Sequence, residues 1–328
     1  MKDNHPWRFI HDRLDKDIPV ILLIIVESDG STPGQIGFKM AVASDGALAG
    51  TIGGGIVEHR LVEKARAKLK TGDQTPLLQR QVHSHDAATD RSGMICGGRQ
   101  TIALYPCKKT DLAAVRHLIQ WFEHREKGIL PRGILNVSPS GISFTPNGHN
   151  KEKYVFRFQE ENEWRYEENF GPMNTAYVIG GGHVGLALSR VLAMLDFRIV
   201  VLDERPDVGT FKDNGHAHEK ITVSYGEIGR HVPDGGGDGE ENYAFIMTPD
   251  HKADKLVLHQ LLDKRLYYLG MMGSAKKVDE IFTRLRHEGV PAERLQKIHA
   301  PIGLPIKSHT PAEIAISIAA EIISLKNG

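Results

Sequence analysis

A glycine-rich turn between an apolar strand and a helix constrains the fold of this chain more than any other feature. Its sequence, Gly180-Gly181-Gly182-His183-Val184-Gly185, has the form G-x-G-x-x-G and follows the apolar run Thr175–Ile179. A second strand-like run, Arg198–Leu202, comes after the helical segment, so the order is strand, turn, helix, strand. This order is typical of a parallel βαβ unit. We therefore predict a Rossmann-like domain with a parallel sheet over residues 172–328.

The same turn predicts a nucleotide site. Gly180, Gly182 and Gly185 let the backbone approach a diphosphate, and the start of the helix supplies free N–H groups. Asp203 ends the next strand, where its carboxylate can accept hydrogen bonds from ribose hydroxyls. In that role it should favour NAD over NADP, because a carboxylate repels a 2′-phosphate. His183 either contacts the bound anion or is a surface histidine at a helix start. A Rossmann domain whose site is empty or reused stays an alternative.

The 328 residues exceed what one compact core usually serves, so we expect a second domain. We assign a mixed α/β domain to residues 1–160, because polar residues from 159 to 172 follow it. Its predicted helices cover residues 56–69 and 111–126, and its predicted strands are Val20–Glu27, Phe38–Ala43, Leu78–His83, Thr101–Tyr105, Ile134–Val137, Ile142–Phe144 and Tyr154–Phe158. Near the other end of the chain, Thr310-Pro311-Ala312-Glu313 has the pattern of a capping box and predicts the start of the last helix.

Composition argues against several classes of protein. The 41 basic and 41 acidic residues give a net charge of zero, so no basic excess is present to neutralise a nucleic-acid backbone. Two cysteines cannot form a disulfide framework, and they lack zinc-finger spacing with histidine. The longest apolar run, residues 18–26, is too short to span a bilayer. We expect a cytoplasmic protein that binds neither nucleic acid nor membranes.

A second glycine loop, Gly53-Gly54-Gly55, lies between a strand-like segment and a helix that carries Glu58. Consecutive glycines expose backbone N–H groups at the positive end of a helix, which is a usable anion-binding nest. The loop has no lysine, so it is not a Walker phosphate loop. Glu58 either stabilises the start of the helix through its charge or hydrogen-bonds to a ligand ring or ribose.

A third loop contains one of the two cysteines, in the sequence Cys96-Gly97-Gly98 between Arg91 and Arg99. Exposed N–H groups and nearby cations favour the thiolate, which is the form that binds metal or accepts sulfur. The alternative is a small buried cysteine. Cys107 lies at a strand end without such surroundings, and we interpret it as structural.

A fourth loop, Gly270-Met271-Met272-Gly273-Ser274, follows a later predicted strand and precedes Lys276 and Lys277. Ser274 can cap a helix that begins near residue 275. In a Rossmann sheet this loop lies at the ligand edge, so Gly273 and Ser274 are candidates for phosphate contact. A glycine turn with solvated lysines fits the sequence equally well.

Taken in order, these segments resemble the XdhC/CoxI family of molybdenum-hydroxylase accessory proteins over most of the chain. The resemblance is carried by the glycine loops and by short motifs around them: Gly30-Ser31-Thr32-Pro33, Gly37-Phe38-Lys39-Met40, Gly50-Thr51-Ile52-Gly53-Gly54-Gly55 with Glu58, Met94-Ile95-Cys96-Gly97-Gly98, Gly180 to Gly185, Tyr268 to Ser274 with Lys277, Pro301-Ile302-Gly303-Leu304 and Thr310 to Ala315. The chain departs from the family at Gly34, where many members have arginine. That position therefore offers no side chain to phosphate or pterin, although Lys39 is close in sequence.

The resemblance implies that the protein binds a molybdopterin-type molybdenum cofactor, assists its sulfuration and delivers it to a xanthine-dehydrogenase-like apoenzyme. The implied partners are that apoenzyme, a cysteine desulfurase and a second copy of the chain in a homodimer. The protein would then handle the cofactor without turning over a substrate, with Cys96 as molybdenum ligand or sulfur relay. The candidate cofactor-binding residues are Gly53, Gly54, Gly55, Glu58, Gly97, Gly98, Gly180, Gly182, His183, Gly185, Asp203, Gly273 and Ser274.

Two other functions stay open at this point. An NAD(P)-dependent oxidoreductase would use the Rossmann turn and Asp203, but the sequence offers no clear acid–base set such as a Tyr-x-x-x-Lys pair. A redox- or nucleotide-sensing regulator would use the same turn without a client enzyme.

Overall fold

Two units with separate hydrophobic cores make up the chain: the first unit is Met1–Gly171 and the second unit is Pro172–Gly328. The computed structural model describes residues 4–82, 98–126, 131–148, 150, 152–171, 174–235 and 241–327. In these ranges, no helix combines the length and the apolar sequence needed to cross a bilayer.

Within its described residues, the first unit contains two antiparallel sheets and three α-helices. The strands of the larger sheet are β1 Val20–Asp29, β2 Lys39–Ala43, β3 Leu48–Gly50, β4 Leu77–Val82 and β5 Arg99–Pro106. The strands of the smaller sheet are β6 Gly133–Ser138, β7 Gly141–Pro146, β8 Tyr154–Glu160 and β9 Glu163–Phe170. The spatial orders are β3-β2-β1-β5-β4 and β7-β6-β9-β8. The helices are α1 Asn4–Asp15, α2 Gly55–Thr71 and α3 Leu112–Glu126.

Strand β1 is buried on both faces, which explains its continuous apolar sequence. Leu22 and Ile24 belong to the core that includes residues of α1 and α3. Leu23 and Ile25 point to the opposite face and belong to the core that includes residues of α2. Each such side chain stabilises the fold by about 1.5–3 kcal/mol when it is fully buried. The strand therefore contributes side chains to both hydrophobic cores of the first unit.

Strand β9 corrects one interpretation of the sequence. Residues 159–172 look like a polar separator, but most of them form a strand that pairs with both β6 and β8. Trp164 and Tyr166 are buried, whereas the alternating charged residues Glu163 and Arg165 are exposed. Charged residues on one face of a strand hide its apolar face from a reading of composition alone.

The second unit confirms the predicted Rossmann-like parallel sheet. Its strands are β10 Asn174–Ile179, β11 Arg198–Asp203, β12 Glu219–Thr222, β13 Glu241–Ile246 and β14 Tyr268–Met271. They pair in the order β12-β11-β10-β13-β14, and every neighbouring pair is parallel. The helices are α4 His183–Met194, α5 Gly209–Lys212, α6 Ile228–His231, α7 His251–Leu261, α8 Ala275–His287, α9 Ala292–Leu295 and α10 Pro311–Asn327. The strand order reverses beside β10, and ligands of such sheets bind at the carboxyl ends of the strands near that point.

The start of α10 confirms the predicted capping box. The Thr310 hydroxyl accepts a hydrogen bond from Glu313 N at 3.3 Å. In return, Glu313 Oε2 accepts hydrogen bonds from Thr310 N at 3.0 Å and from His309 N at 2.7 Å. The Thr310 hydroxyl thus satisfies an N–H group of the first turn that has no backbone acceptor within the helix, and Glu313 satisfies two N–H groups just before the helix.

The capping box predicts a pH-dependent stability difference. The backbone N–H groups of Thr310 and His309 lower the pKa of Glu313. Its stabilising contribution is therefore present above the pKa of the unfolded chain and is lost as the pH falls through the folded pKa. We expect Glu313→Ala to lower the melting temperature at pH 7, and we expect the difference from wild type to shrink as the solution is acidified. Thermal unfolding across pH tests this, and a difference that stays constant with pH would contradict it.

Candidate functional site

The glycine motifs of the sequence lie in two groups, one in each unit. In the second unit, the turn from Gly180 to Gly185 joins β10 to α4. Gly180 has φ +117°, and a Cβ atom there would overlap the carbonyl oxygen of Met247. A Cβ atom at Gly185 would likewise overlap the carbonyl oxygen of Gly180. The turn therefore needs glycine at both positions for the start of α4 to sit against the sheet.

The start of α4 offers open backbone donors. Gly182 is the N-cap of the helix, and no side chain caps it. The first N–H groups of a helix have no partner within the helix itself. A Cβ atom at Gly182 would meet nothing within 4 Å, and His183 is exposed. The geometry therefore suits an anion such as a diphosphate.

Asp203 lies beside this turn, but its carboxylate is engaged within the protein. Asp203 Oδ2 accepts hydrogen bonds from Gly181 N at 2.7 Å and from Arg205 Nη2 at 2.8 Å. Asp203 Oδ1 accepts from Arg205 N and Nε, both at 2.9 Å. Burial alone would raise the pKa of Asp203, but the hydrogen bonds from Arg205 and Gly181 hold it below its ordinary value. The carboxylate thus fixes the turn, and its contact with a ribose remains a prediction.

The loop after β14 lies at the same edge of the sheet, because the carboxyl ends of parallel strands meet there. Gly273 and Ser274 precede α8, and the Ser274 hydroxyl caps that helix by accepting from Lys277 N at 3.3 Å. Lys277 Nζ lies 2.5 Å from Asp254 Oδ2, and the Asp254 side chain is fully buried. The positive charge of Lys277 is therefore already compensated by a carboxylate.

In the first unit, the glycine loop before α2 is closed by Glu58. Glu58 Oε2 accepts hydrogen bonds from the Thr51 hydroxyl at 2.6 Å, Ile52 N at 2.9 Å and Gly54 N at 3.1 Å. Three donors converge on one carboxylate oxygen, so the loop has the geometry of an anion nest. Glu58 occupies that nest. A Cβ atom at Gly54 or Gly55 would meet nothing within 4 Å, so the outer surface of the loop is open.

Three motifs that are distant in sequence meet around this loop. A Cβ atom at Gly34 would overlap the carbonyl oxygen of Ile52, and one at Gly53 would lie 2.7 Å from the carbonyl carbon of Pro33. A Cβ atom at Gly98 would overlap the carbonyl oxygen of Ser31. The Ser-Thr-Pro-Gly turn therefore packs against both the triple-glycine loop and the loop that contains Gly98. Pairing of β1 with β5 causes this, because it places the end of one strand beside the start of the other.

Cys96 and Gly97 lie outside the described residues, as does Arg91. Arg99 lies at the start of β5, where its Nη2 donates to Asp29 Oδ2 at 3.0 Å. Cys107 is buried, and burial raises the pKa of its thiol well above the ordinary value. A thiolate is therefore not accessible at Cys107, in agreement with its interpretation as a structural residue.

The structure gives two cationic residues, Lys39 and Arg205, a role that was not predicted from the sequence. Lys39 forms a buried ion pair, with its Nζ 2.6 Å from Glu168 Oε2, so it is not free for a phosphate. Arg205 was not among the predicted site residues, although the sequence Asp203-Glu204-Arg205 after a strand could have indicated it. Within the described ranges, no three His, Cys, Asp or Glu side chains are grouped to hold a metal ion.

Two protein families match this chain, one in each unit. Residues 176–322 match the family described as XdhC Rossmann domain. Residues 14–80 match the XdhC and CoxI family. Together the two matches span well over half of the chain.

Relatives in two bacteria extend over almost the whole chain. The uncharacterized protein YqeB of Escherichia coli K12 is 26% identical over 316 residues, which make up 95% of this chain and 44% of YqeB, so the chain spans less than half of that protein. A probable xanthine dehydrogenase subunit of Bacillus subtilis 168 is 23% identical over 95% of both chains. The molybdenum cofactor insertion chaperone PaoD of Escherichia coli K12 is 20% identical over 97% of this chain and 87% of PaoD.

A solved structure has the same fold. The crystal structure of a protein named xanthine dehydrogenase from Bacillus halodurans matches 100% of this chain and 96% of its own, with a TM-score of 0.61 and 23% identity. At this identity the likeness concerns the fold alone. The two family matches carry the assignment: the chain belongs to the XdhC and CoxI family, and its second unit contains an XdhC Rossmann domain.

Proposed function

We propose that this protein is an accessory factor that binds the molybdenum cofactor, assists its sulfuration and inserts it into a xanthine-dehydrogenase-like molybdenum hydroxylase. Membership of the XdhC and CoxI family and the relationship to the insertion chaperone PaoD support this proposal. The partners that follow from it are the apoenzyme and a cysteine desulfurase that supplies sulfur. Binding the cofactor, assisting its sulfuration and inserting it do not require the chain to turn over a substrate.

The observation that carries the proposal is the convergence of three motifs in the first unit. The Ser-Thr-Pro-Gly turn, the triple-glycine loop and Gly98 pack against one another, so Cys96 is two residues along the chain from this cluster. The shape of the cluster fits the pterin ring system. Glu58 already accepts the three donors of the triple-glycine loop, and the open surface of Gly54 and Gly55 leaves room for a bulky ring.

In this proposal, Cys96 supplies the soft sulfur donor and the open glycine surface holds the pterin ring. A thiolate suits a soft metal centre, and a surface of backbone and glycine suits a flat, bulky ring. When bound, the cofactor would contribute its molybdenum and the pterin that carries it. The protein would contribute orientation, shielding from water and a thiolate close to the metal.

A second candidate function is an NAD(P)-dependent oxidoreductase, which the uncapped start of α4 favours. Mass spectrometry of ligand released from gently purified protein separates the two functions. A pterin supports the accessory factor, and a dinucleotide on protein that also fails to bind added molybdenum cofactor supports the oxidoreductase. Protein that carries no ligand is then offered molybdenum cofactor directly, and failure to bind it would count against the accessory role.

Exchange of each cysteine for serine tests the role of Cys96. Cys96→Ser removes the soft donor but nearly keeps the size of the side chain, so we expect a folded protein that no longer transfers active cofactor. Cys107→Ser is the matched control, because the buried thiol of Cys107 is not in the reactive form. The measurement is activation of a molybdenum-free hydroxylase apoenzyme, with cofactor binding followed in parallel. Full activation by Cys96→Ser would move the sulfur chemistry to a partner protein.

Glu58→Ala tests the anion nest. Three donors lose their charged acceptor, and hydrogen bonds to charged groups contribute about 1.5–3 kcal/mol each. We expect the free energy of unfolding to fall by at least about 1.5–3 kcal/mol, the contribution of one such bond. We also expect weaker cofactor binding, because the loop loses its shape. Glu63→Ala on the same helix is the control, since its pair with Arg66 is exposed and should change stability by less than about 0.5 kcal/mol. Equal denaturant midpoints for the two variants would contradict the assignment of Glu58 to the site.

A further inference from the structure

We propose that the second unit also binds a phosphorylated dinucleotide of the NADP type, with Arg205 contacting the 2′-phosphate of its ribose. This inference concerns a ligand other than the molybdenum cofactor and goes beyond the accessory function proposed above. It also reverses the preference for NAD that Asp203 suggests in the sequence alone.

The position of Arg205 in the sheet is the first support. Arg205 follows the carboxyl end of β11, which is the strand next to β10 and its glycine turn. In a Rossmann domain, the adenosine ribose lies at the end of this strand, where an acidic residue reads a free 2′-hydroxyl and an arginine accommodates a 2′-phosphate. The structure offers both kinds of residue there, so their orientation decides between the two ligands.

The orientation favours the phosphate. The Asp203 carboxylate is fully buried and accepts four hydrogen bonds from Gly181 and Arg205. A ribose hydroxyl would have to displace these donors from a charged acceptor. The Arg205 side chain, in contrast, is 41% exposed. An incoming ligand therefore meets the guanidinium rather than the carboxylate.

Arg205 is held in a fixed position for this contact. Its Nε and Nη2 both donate to Asp203, so the guanidinium plane is held on two nitrogens. A guanidinium is always charged and presents its donors in a plane, so fixing two nitrogens also fixes the direction of the third. Such preorganisation lowers the entropic cost of binding a phosphate.

The surrounding groups leave room for this role. Asp207 is paired with Lys212, and Glu204 Oε2 accepts a hydrogen bond from Tyr225 N at 3.4 Å. Tyr225 is buried close to Asp203 and Arg205, and both interact with its side chain. Three carboxylates flank Arg205: Asp203 is neutralised by Arg205 itself, Asp207 is paired with Lys212, and Glu204 is exposed and opposes an anion.

The glycine turn provides a place for the diphosphate of the same ligand. The uncapped start of α4 and the open space at Gly182 are joined to Arg205 through one carboxylate, because Asp203 bonds both Gly181 N and the guanidinium. The distance between the two anion-binding positions is therefore fixed by hydrogen bonds within the second unit. A dinucleotide with a 2′-phosphate can use both positions, whereas NAD can use only the turn.

Titration calorimetry of the full chain with NADP⁺ and NAD⁺ tests the proposal. We expect NADP⁺ to bind about tenfold or more tightly than NAD⁺, as for a charge-assisted contact to one phosphate. Arg205→Ala should remove most of this difference by weakening NADP⁺ alone. Arg198→Ala is the matched control. Arg198 lies at the amino end of the same strand, away from the glycine turn, and pairs with Glu219.

A comparison without any variant covers the case in which Arg205→Ala fails to fold. Adenosine 2′,5′-bisphosphate should compete with NADP⁺ at least about tenfold better than adenosine 5′-monophosphate, because only the former carries the 2′-phosphate. Absence of NADP⁺ binding, or equal affinity for NADP⁺ and NAD⁺, would overturn the proposal. Equal weakening of both dinucleotides in Arg205→Ala would assign Arg205 to the support of the turn only. Cofactor transfer by Cys96 is measured separately, so failure of either proposal is recognised independently.

Discussion

The second unit depends on the close approach of backbone at Gly180. Glycine has no Cβ atom, so the backbone of Gly180 can lie directly against the carbonyl of Met247, just beyond the end of β13. This contact allows α4 to begin over the sheet. Asp203 then bonds Gly181 N and fixes the turn to the end of β11. Three neighbouring strands are thereby tied at one edge. Asp203 bonds the turn at Gly181, and the N–H groups at the start of α4 carry no side-chain cap.

The first unit uses a carboxylate on a glycine loop in a different way. Glu58 collects three donors from the loop before α2, so the donors that would make this loop resemble a phosphate site are already used. The packing of Gly34, Gly53 and Gly98 then brings three motifs together through close contacts with backbone. Among the described residues, the outer surface of Gly54 and Gly55 is open, which suits a flat, bulky ligand better than a small free anion.

Charge compensation follows the same logic in both units. Lys39 is paired with Glu168 and Lys277 with Asp254, and three of these four side chains are at most about one-tenth exposed. A buried charge is tolerated only when it is paired, so these lysines support the fold rather than attract a ligand. Arg205 is also paired, but its guanidinium donates to Asp203 only through Nε and Nη2. Its Nη1 points away from that carboxylate. Planar geometry allows this division, and the single ammonium of lysine does not.

The sequence by itself determined the parallel sheet, the position of the glycine turn, the buried β1 and the capping box of α10, because each follows from local periodicity or from glycine and cap chemistry. It did not reveal β9, whose exposed charges at Glu163 and Arg165 resemble those of a linker, nor α1, which lies before the first recognisable motif of the chain. Only the tertiary structure decided which donors and charges are already used within the protein. The reason is physical: a side chain such as Lys39 or Asp203 reads as a ligand contact until its partner is known, and hydrogen-bond partners depend on orientation and on contacts between distant residues.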